Sequence, residues 1–451
     1  MLRKSILVER WLFLSLKNKD EIIKELQEEV ERLRQEKESL EKENKELKKI
    51  LTIFINPHIP PSKQVFKKRV LQASKKLGAP LGHKGATRKI QEPNETVKHF
   101  LTQCPKCNDL LGKPFDTEER IEEEIPDPQP VKVTKHVIGF YNCKNCGVIT
   151  AETSLPKEGN FGKSTLAHVT LMKYDDRLPA RKITSSLQRQ HNLELTHPTI
   201  LNIIQRVVRA AKSAFEQIKA ITRTFFNVYI DETGIKVQGK QFWIWIFTTI
   251  TTTLFVIRKS RHCKVVEEVL GENFKGAINC DGWETYKTYQ NNNENVKIQR
   301  CWAHALREVE AVADKYEEAK PLNKWFNDIY LKVCKARESG KPLYIRERLK
   351  DKCERELRNW LDVAKPYKTL KTVRTKIENG FENWFTCIIH PEVEPTNNRA
   401  ERMLREQVVL RKITGTLRNE KGTTANEVIM TLLTTWKQQN KNPFLELKAL
   451  L

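Results

Sequence analysis

Phe225-Phe226-Asn227-Val228-Tyr229-Ile230-Asp231 is the stretch where the period of the chain changes. Before it, from about residue 162 to 220, apolar residues recur at helical spacing. Here Phe226, Val228 and Ile230 alternate with polar or amphipathic neighbours, the period-two signature of a strand, and the run ends on a carboxylate. Working downstream, the pattern predicts strands over 241–250 and 252–257, a helix over about 263–270, a short strand over 277–280 that ends at Asp281, and another over 296–300. Three strands in a row followed by strand–helix alternation indicates a mixed sheet flanked by helices. Residues 302–385 read as mainly helical, and a last helical pair covers 397–410 and 424–439.

Working upstream, Leu178-Pro179-Ala180-Arg181-Lys182-Ile183 begins a helix, Leu193-Glu194-Leu195 is a turn, and Thr196 with Pro198 opens a second helix. Thr as N-cap with Pro in the first turn is a start signal. Two helices so spaced resemble a helix-turn-helix, in which Arg181 and Lys182 would meet DNA; a purely structural helical hairpin reads equally well. Further upstream lie Cys104-Pro105-Lys106-Cys107 and Cys143-Lys144-Asn145-Cys146. Each Cys-x-x-Cys turn lets two thiolates reach one ion, and two such turns close a tetrahedral Zn²⁺ site. Val131, Val133 and Val137-Ile138 suggest strands of a zinc ribbon between them, with the acidic run from Glu118 to Glu124 looping out.

Residues 56–98 are punctuated by Pro57, Pro60 and Pro61 and are basic. They read as a linker whose Lys67, Lys68, Arg69, Lys84 and Arg88 touch the phosphate backbone, or as a solvated tether. Residues 19–53 read as a leucine zipper. Leu26, Leu33, Leu40 and Leu47 recur at heptad position d, and Ile23, Val30, Lys37, Asn44 and Leu51 fall at a. Branched residues at a with Leu at d favour a parallel dimer, and a buried Asn fixes register. Glu29 would face Arg34 of a partner helix and Glu43 would face Lys48, while Glu36 meets Glu41 unfavourably. The preceding Trp11-Leu12-Phe13-Leu14 is too short and too closely flanked by Glu9 and Arg10 for a secretory signal.

The 451 residues carry 80 Lys and Arg against 57 Asp and Glu, a formal charge of +23. Such an excess attracts polyanions and supports counterion release on phosphate contact. Apolar residues make up 39% of the chain, and no stretch approaches the roughly 20 apolar residues that span a bilayer, so no membrane partner is expected. Six of the 10 cysteines (Cys263, Cys280, Cys301, Cys334, Cys353 and Cys387) scatter through the apparent core. A reduced, cytoplasmic protein fits this better than a secreted disulfide scaffold.

Asp231 and Asp281 both sit at strand ends, where a carboxylate can leave the sheet and meet others in a shared crevice. Mg²⁺ takes hard oxygen ligands and completes its shell with water and phosphate. In a two-metal site one ion lowers the pKa of the attacking hydroxyl and the other steadies the leaving oxygen. Taken singly, Asp281-Gly282 also reads as an ordinary turn pair. The later acid that completes the set is open among Glu308, Glu354, Glu382 and Glu401. Asn397-Asn398-Arg399-Ala400-Glu401-Arg402 is the most suggestive, because the Asn pair can cap a helix whose dipole supports Glu401 in its first turn. Arg405 and Lys412 share the face of Glu401 by helical spacing and could receive DNA phosphates. Cys301 and His304 could ligate metal at i, i+3, although a structural brace is the simpler reading, and Trp283 and Trp302 read as core.

Taken together, these motifs resemble the transposases of the insertion-sequence-66 family over nearly the whole chain. The matches are the heptad helix, Gly78-Ala79-Pro80-Leu81-Gly82-His83-Lys84-Gly85-Ala86-Thr87-Arg88 in the linker, the double Cys-x-x-Cys, and Asp231-Glu232-Thr233 leading to Trp243-Ile244-Trp245. They continue with Asp281-Gly282, Cys301-Trp302-Ala303-His304-Ala305 and Asn397-Asn398-Arg399-Ala400-Glu401-Arg402. The resemblance implies a cut-and-join DNA transposase with a ribonuclease-H-like catalytic domain. It implies a catalytic triad at Asp231, Asp281 and Glu401 holding two Mg²⁺ (or Mn²⁺), and a helical insertion over 305–390. Family members commonly have Asp where Thr396 stands, and a Gly-Gln-Pro-Gly-like linker where this chain has Gly-Ala-Pro-Leu-Gly. Neither departure touches the triad.

The expected organisation is therefore a lead-in (1–18), a dimerising coiled coil (19–55), a basic linker (56–98) and a zinc-binding domain (99–155). A helical domain (160–222) follows, then a catalytic α/β domain (223–304 and 391–440) interrupted by the insertion (305–390), and a tail (441–451). The expected partners are DNA, as element terminal repeats and target, a second copy of the chain, and accessory proteins encoded by the same element. Two other readings compete: a non-catalytic dimeric DNA-binding regulator, which leaves the strand-end acids unused, and a nuclease or resolvase that cuts without joining.

Overall fold

The computed structural model describes residues 19–54, 92–152 and 158–451. These divide into two compact units, 1–124 and 125–451. Lys67, Lys68, Arg69, Lys84 and Arg88, with the rest of the Gly-Ala-Pro-Leu-Gly linker, lie outside the described residues.

The first unit contains helix α1 (Lys19–Phe54). Its heptad residues Leu26, Val30, Leu33 and Leu40 stand exposed along one stripe, as a helix with an apolar seam does when described alone. The charged flanks pair within the helix: Arg32 with Glu29 at 2.8 Å and Arg34 with Glu31 at 3.7 Å. Such solvent-screened pairs contribute little to stability. The unit also holds the first Cys-x-x-Cys turn, closed by Asn108 N donating to Cys104 O at 2.8 Å and Cys104 N to Asp109 O at 2.9 Å.

In the second unit, the expected ribbon strands at Val131, Val133 and Val137-Ile138 do not form. Pro126, Pro128 and Pro130 remove backbone donors just upstream, and Val133 and Val137 are 87% and 86% exposed, with nothing to bury them. The hairpin lies later, as β1 (Phe140–Cys143) and β2 (Gly147–Thr150), antiparallel with Cys143 opposite Gly147. The second Cys-x-x-Cys is its turn.

Helices α2 (Lys163–Tyr174), α3 (Ala180–His191) and α4 (His197–Thr224) follow. Thr196 caps α4 as expected, accepting from Thr199 N at 3.4 Å, with Pro198 in the first turn. These helices are not a separate domain. Ile183, Ile203, Ile204 and Val207 share one hydrophobic core with Tyr229, Ile244 and Phe255 of the sheet and with Ile429 and Leu433. The apolar stripe of α4 is too long to be covered by two short helices, so the sheet and a C-terminal helix cover it.

The sheet has strands β3 (Asn227–Val237), β4 (Lys240–Thr248), β5 (Thr253–Arg258), β6 (Gly276–Cys280) and β7 (Val296–Arg300), in the order β5-β4-β3-β6-β7. The first three form antiparallel hairpins; β6 and β7 run parallel to β3. Helix α5 (Lys264–Leu270) carries the crossover from β5 to β6, and α6 (Glu284–Asn292) that from β6 to β7. Every residue of β6 is buried, as for a parallel strand covered on both faces.

Residues 302–389 form α7 (Trp302–Ala313), α8 (Lys320–Arg337), α9 (Leu343–Ala364), α10 (Lys371–Glu378) and α11 (Thr386–Ile389). They have a core of their own around Trp302, Phe326, Trp360 and Phe385. The chain then returns to the sheet as α12 (Asn398–Thr414) and α13 (Glu420–Gln438). Residues 441–451, expected as a tail, instead form α14 (Pro443–Leu450): Asn442 caps it, and Leu447 joins the core shared by α2 and the sheet. No helix among the described residues is long and apolar enough to cross a membrane.

Candidate active site

Asp231 and Asp281 are brought together by register. Tyr229 of β3 stands opposite Asn279 of β6 in a parallel pair, and each aspartate lies two residues further along the chain, Asp231 within β3 and Asp281 just past the end of β6. Side chains alternate with period two, so each aspartate faces the same side as its Tyr or Asn predecessor, on strands spaced about 4.7–4.9 Å. Asp281 follows the last residue of β6 as expected, but Asp231 does not end its strand: β3 continues to Val237, held by its antiparallel pairing with β4, and only the parallel pairing with β6 stops at Tyr229.

Helix α12 is held over that face by amides rather than by a cap. Asn397 sits at the N-cap position but makes no side-chain cap bond. Its Nδ2 donates instead to Ile230 O at 2.8 Å, the carbonyl just before Asp231. Asn279 Nδ2 donates to Glu394 O at 2.6 Å and tethers the loop before α12 to β6. Trp302 N donates to Pro395 O at 3.1 Å, and Asn397 N to Cys301 Sγ at 3.1 Å. Downstream, Arg411 donates to Thr233 Oγ1 at 3.1 Å. The helix is thus pinned at both ends along β3, and Glu401 falls in its first turn above Asp231.

Asp231 feels the charges around it. Burial pushes the Asp231 carboxyl well above the usual carboxylate range; the negative charges of Glu232, Asp281 and Glu401 push it further, and the Glu232 N–H, donating to Asp231 Oδ1 at 2.9 Å, opposes this. Like charges crowded into a partly desolvated crevice disfavour ionisation and are relieved by a cation. The donor set, all hard carboxylate oxygens, fits Mg²⁺ or Mn²⁺. Asp281 Oδ1 also accepts from Trp283 N at 2.9 Å, which orients it at the strand end.

The neighbouring acids point elsewhere. Glu232, on the opposite face of β3, has a side chain only 1% exposed and pairs with Arg261. Tyr286 donates to it as well. Burial raises its pKa, with Asp281 adding to the effect. Glu284 is exposed on α6. Glu308 pairs with Lys376, and Glu354 with Lys350. Gly282 answers to packing more than to a turn: a Cβ there would run into Arg300 Nη2, because the guanidinium passes close by on its way to Lys376 O at 2.7 Å.

Trp302 is fully buried, as expected, and donates to Trp384 O at 2.7 Å. Trp283 is not core: it is 45% exposed. One face of its ring carries the Arg261 guanidinium at 4.0 Å, which in turn stacks on Trp243 at 4.5 Å. Its place on the strand–helix turn after Asp281 leaves no layer to cover the other face. Of the expected phosphate contacts, Arg181 and Lys182 are exposed on α3, and Arg405 and Lys412 on α12. Arg261, Asn279, Arg300 and Arg307 escaped the sequence reading. Only Arg307 had a usable signal, three residues after His304 on one helical face, and it donates to Glu401 Oε1 at 3.0 Å.

The two Cys-x-x-Cys turns share a local build. The Cys104 thiol is pulled below its ordinary pKa first by the Lys106 N–H and then by the Cys107 N–H, and the Cys143 thiol by those of Asn145 and Cys146. Amides aimed at sulfur favour the thiolate, the form that binds metal.

Residues 102–147 match the family model described as the zinc-finger binding domain of transposase IS66, and residues 158–425 match the model described as Transposase IS66 family. No curated protein matches the chain. The second match covers more than half of the sequence and takes in β3, β6 and the first turn of α12. On that ground the chain belongs to the IS66 family of transposases.

Proposed function

We infer that the chain is a DNA transposase that cleaves element ends and joins them to target DNA. We assign the reaction to Asp231, Asp281 and Glu401, holding two Mg²⁺ in a ribonuclease-H-like domain. The observation that carries this reading is geometric: Asp231 and Asp281 each stand two residues past the parallel Tyr229–Asn279 pair, and the Asn397–Ile230 bond lays α12, with Glu401 in its first turn, alongside β3. The sheet order, with three antiparallel strands, two parallel additions and a helix laid over the central strand, supports the fold assignment. Bound metal would supply an activated hydroxyl and a stabilised leaving oxygen. Asp231, on the central strand between the other two, is suited to bridge; Asp281 and Glu401 each complete one side. Arg405 and Lys412 lie along the same helix to receive phosphates.

Cys104, Cys107, Cys143 and Cys146 are assigned to one structural Zn²⁺, supported by the match over residues 102–147 and the two thiolate-favouring turns. Helix α1 is assigned to parallel dimerisation on the strength of its exposed heptad stripe. The test is strand cleavage and transfer by the full chain with Mg²⁺ and DNA carrying the element's ends. Asp231→Asn, Asp281→Asn and Glu401→Gln should each abolish both steps while DNA binding persists. Cleavage without joining favours the nuclease reading, and full activity in any of the three variants overturns the triad.

A further inference from the structure

Three side chains of different chemistry meet where α7 and α12 begin. Cys301 is buried immediately before α7, His304 lies in its first turn, and Glu401 lies in the first turn of α12; their ligand atoms all lie within 4.8 Å of one another. The two-metal reading uses only Glu401 of the three. The buried Nδ1 of His304 has no hydrogen-bond partner, and its Nε2 is 3.6 Å from Glu401 Oε1, beyond hydrogen-bond distance. The imidazole therefore makes no hydrogen bond that would account for its position. Cys301 Sγ accepts from Asn397 N at 3.1 Å, the kind of amide–sulfur bond that supports a metal-bound thiolate. Glu401 gives Oε1 to Arg307, a contact that does not use Oε2.

We propose that Cys301, His304 and Glu401 form a soft-metal site that takes one Zn²⁺, separate from the four-cysteine module. Thiolate and imidazole select Zn²⁺ over Mg²⁺, and three protein ligands leave the fourth tetrahedral position to water. Zinc bond lengths need ligand atoms roughly 3.3–3.8 Å apart, a contraction of about one ångström that side-chain torsions supply. Resting on the triad reading, the site has a consequence: zinc bound here occupies Glu401, so zinc opposes the magnesium-dependent reaction.

The test uses the full chain, dialysed against Zn²⁺ without DNA or Mg²⁺, and compares metal content by elemental analysis. Wild type should hold one zinc per chain more than Cys301→Ser and His304→Gln. Co²⁺ substitution should give wild type a thiolate-to-cobalt absorption increment that both variants lack. His304 is part-exposed, so His304→Gln decides the matter if the buried Cys301 variant fails to fold. Equal zinc in wild type and folded His304→Gln overturns the site, whatever the outcome for magnesium. If zinc content differs as expected but added zinc slows cleavage equally in wild type and His304→Gln, the sharing of Glu401 is overturned.

Discussion

Asn397 is the cheapest place to ask whether the sheet sets the position of Glu401. Its side chain donates from Nδ2 to Ile230 O at 2.8 Å, and the residue is 1% exposed. Asn397→Ala removes that donor inside a buried seam. A lost buried hydrogen bond costs about 0.5–1.5 kcal/mol and a stranded polar group about 1–3. Against this, Asn397 Oδ1 is itself buried without a partner, so deleting it relieves part of the cost. The net expectation is about 1–2 kcal/mol of destabilisation. The neighbouring Asn398 is exposed, and Asn398→Ala should stay within about 0.5 kcal/mol. The functional effect should exceed the thermodynamic one. Glu401 follows Asn397 by one turn, its N–H donating to Asn397 O at 3.2 Å, and a misplacement of about 1 Å can cost roughly 10²-fold in rate. Urea unfolding followed by tryptophan fluorescence gives the first number, and cleavage of end DNA in Mg²⁺ gives the second. If Asn397→Ala and Asn398→Ala are indistinguishable in both assays, the claim that this amide positions Glu401 is wrong.

Three further outcomes follow from the same structure. Because the folded state raises the Asp231 pKa, its contribution favours folding below the ordinary carboxylate range and is lost as pH rises through the raised value. Without metal at neutral pH, Asp231→Asn should therefore melt above wild type, with the gap closing on acidification and on adding Mg²⁺ to wild type; a gap that widens at low pH would contradict the repulsion. Cys104→Ser should cost one zinc per chain and hydrogen-exchange protection within residues 102–147, leaving protection of β3 and β6 unchanged; loss of protection in the sheet would show that the module is not a separate structural unit. Asn44→Ile, at a heptad a position of α1, should raise the stability of the self-associated chain and broaden its oligomer distribution in sedimentation; a chain that stays monomeric at high concentration, with or without the change, would remove the coiled coil.

The local signals in this chain were strong wherever a single period or cap decided the element. Alternation from Phe226 to Ile230 gave β3, Thr196 with Pro198 gave the start of α4, and the short Ala277-Ile278-Asn279-Cys280 run gave β6. Local pattern misled where the outcome depended on a partner surface. Val133 and Val137 sit in an alternating pattern as in a strand but have no layer to face, and residues 441–451 looked like a tail until Leu447 found the core. The helices over 163–224 looked like a domain because sequence shows an apolar stripe without showing what covers it.

The same division runs through the candidate site. The sequence by itself supplied Asp281 at the end of β6, the cysteine pairs, the heptads and, by resemblance, a family that the matches over 102–147 and 158–425 bear out; it placed Asp231 at a strand end, whereas β3 runs on to Val237. Only the tertiary structure decided that Asn397 spends its amide on Ile230 O instead of capping α12, that Gly282 makes room for Arg300, that Trp283 stands open over Arg261, and that Cys301 and His304 meet Glu401. The physical reason is range. Periodicity and capping are settled among residues a few positions apart, whereas a hydrogen bond between residues 230 and 397 or a packing clash between Gly282 and Arg300 exists only once parallel register and a helix laid across the sheet have brought distant segments into contact.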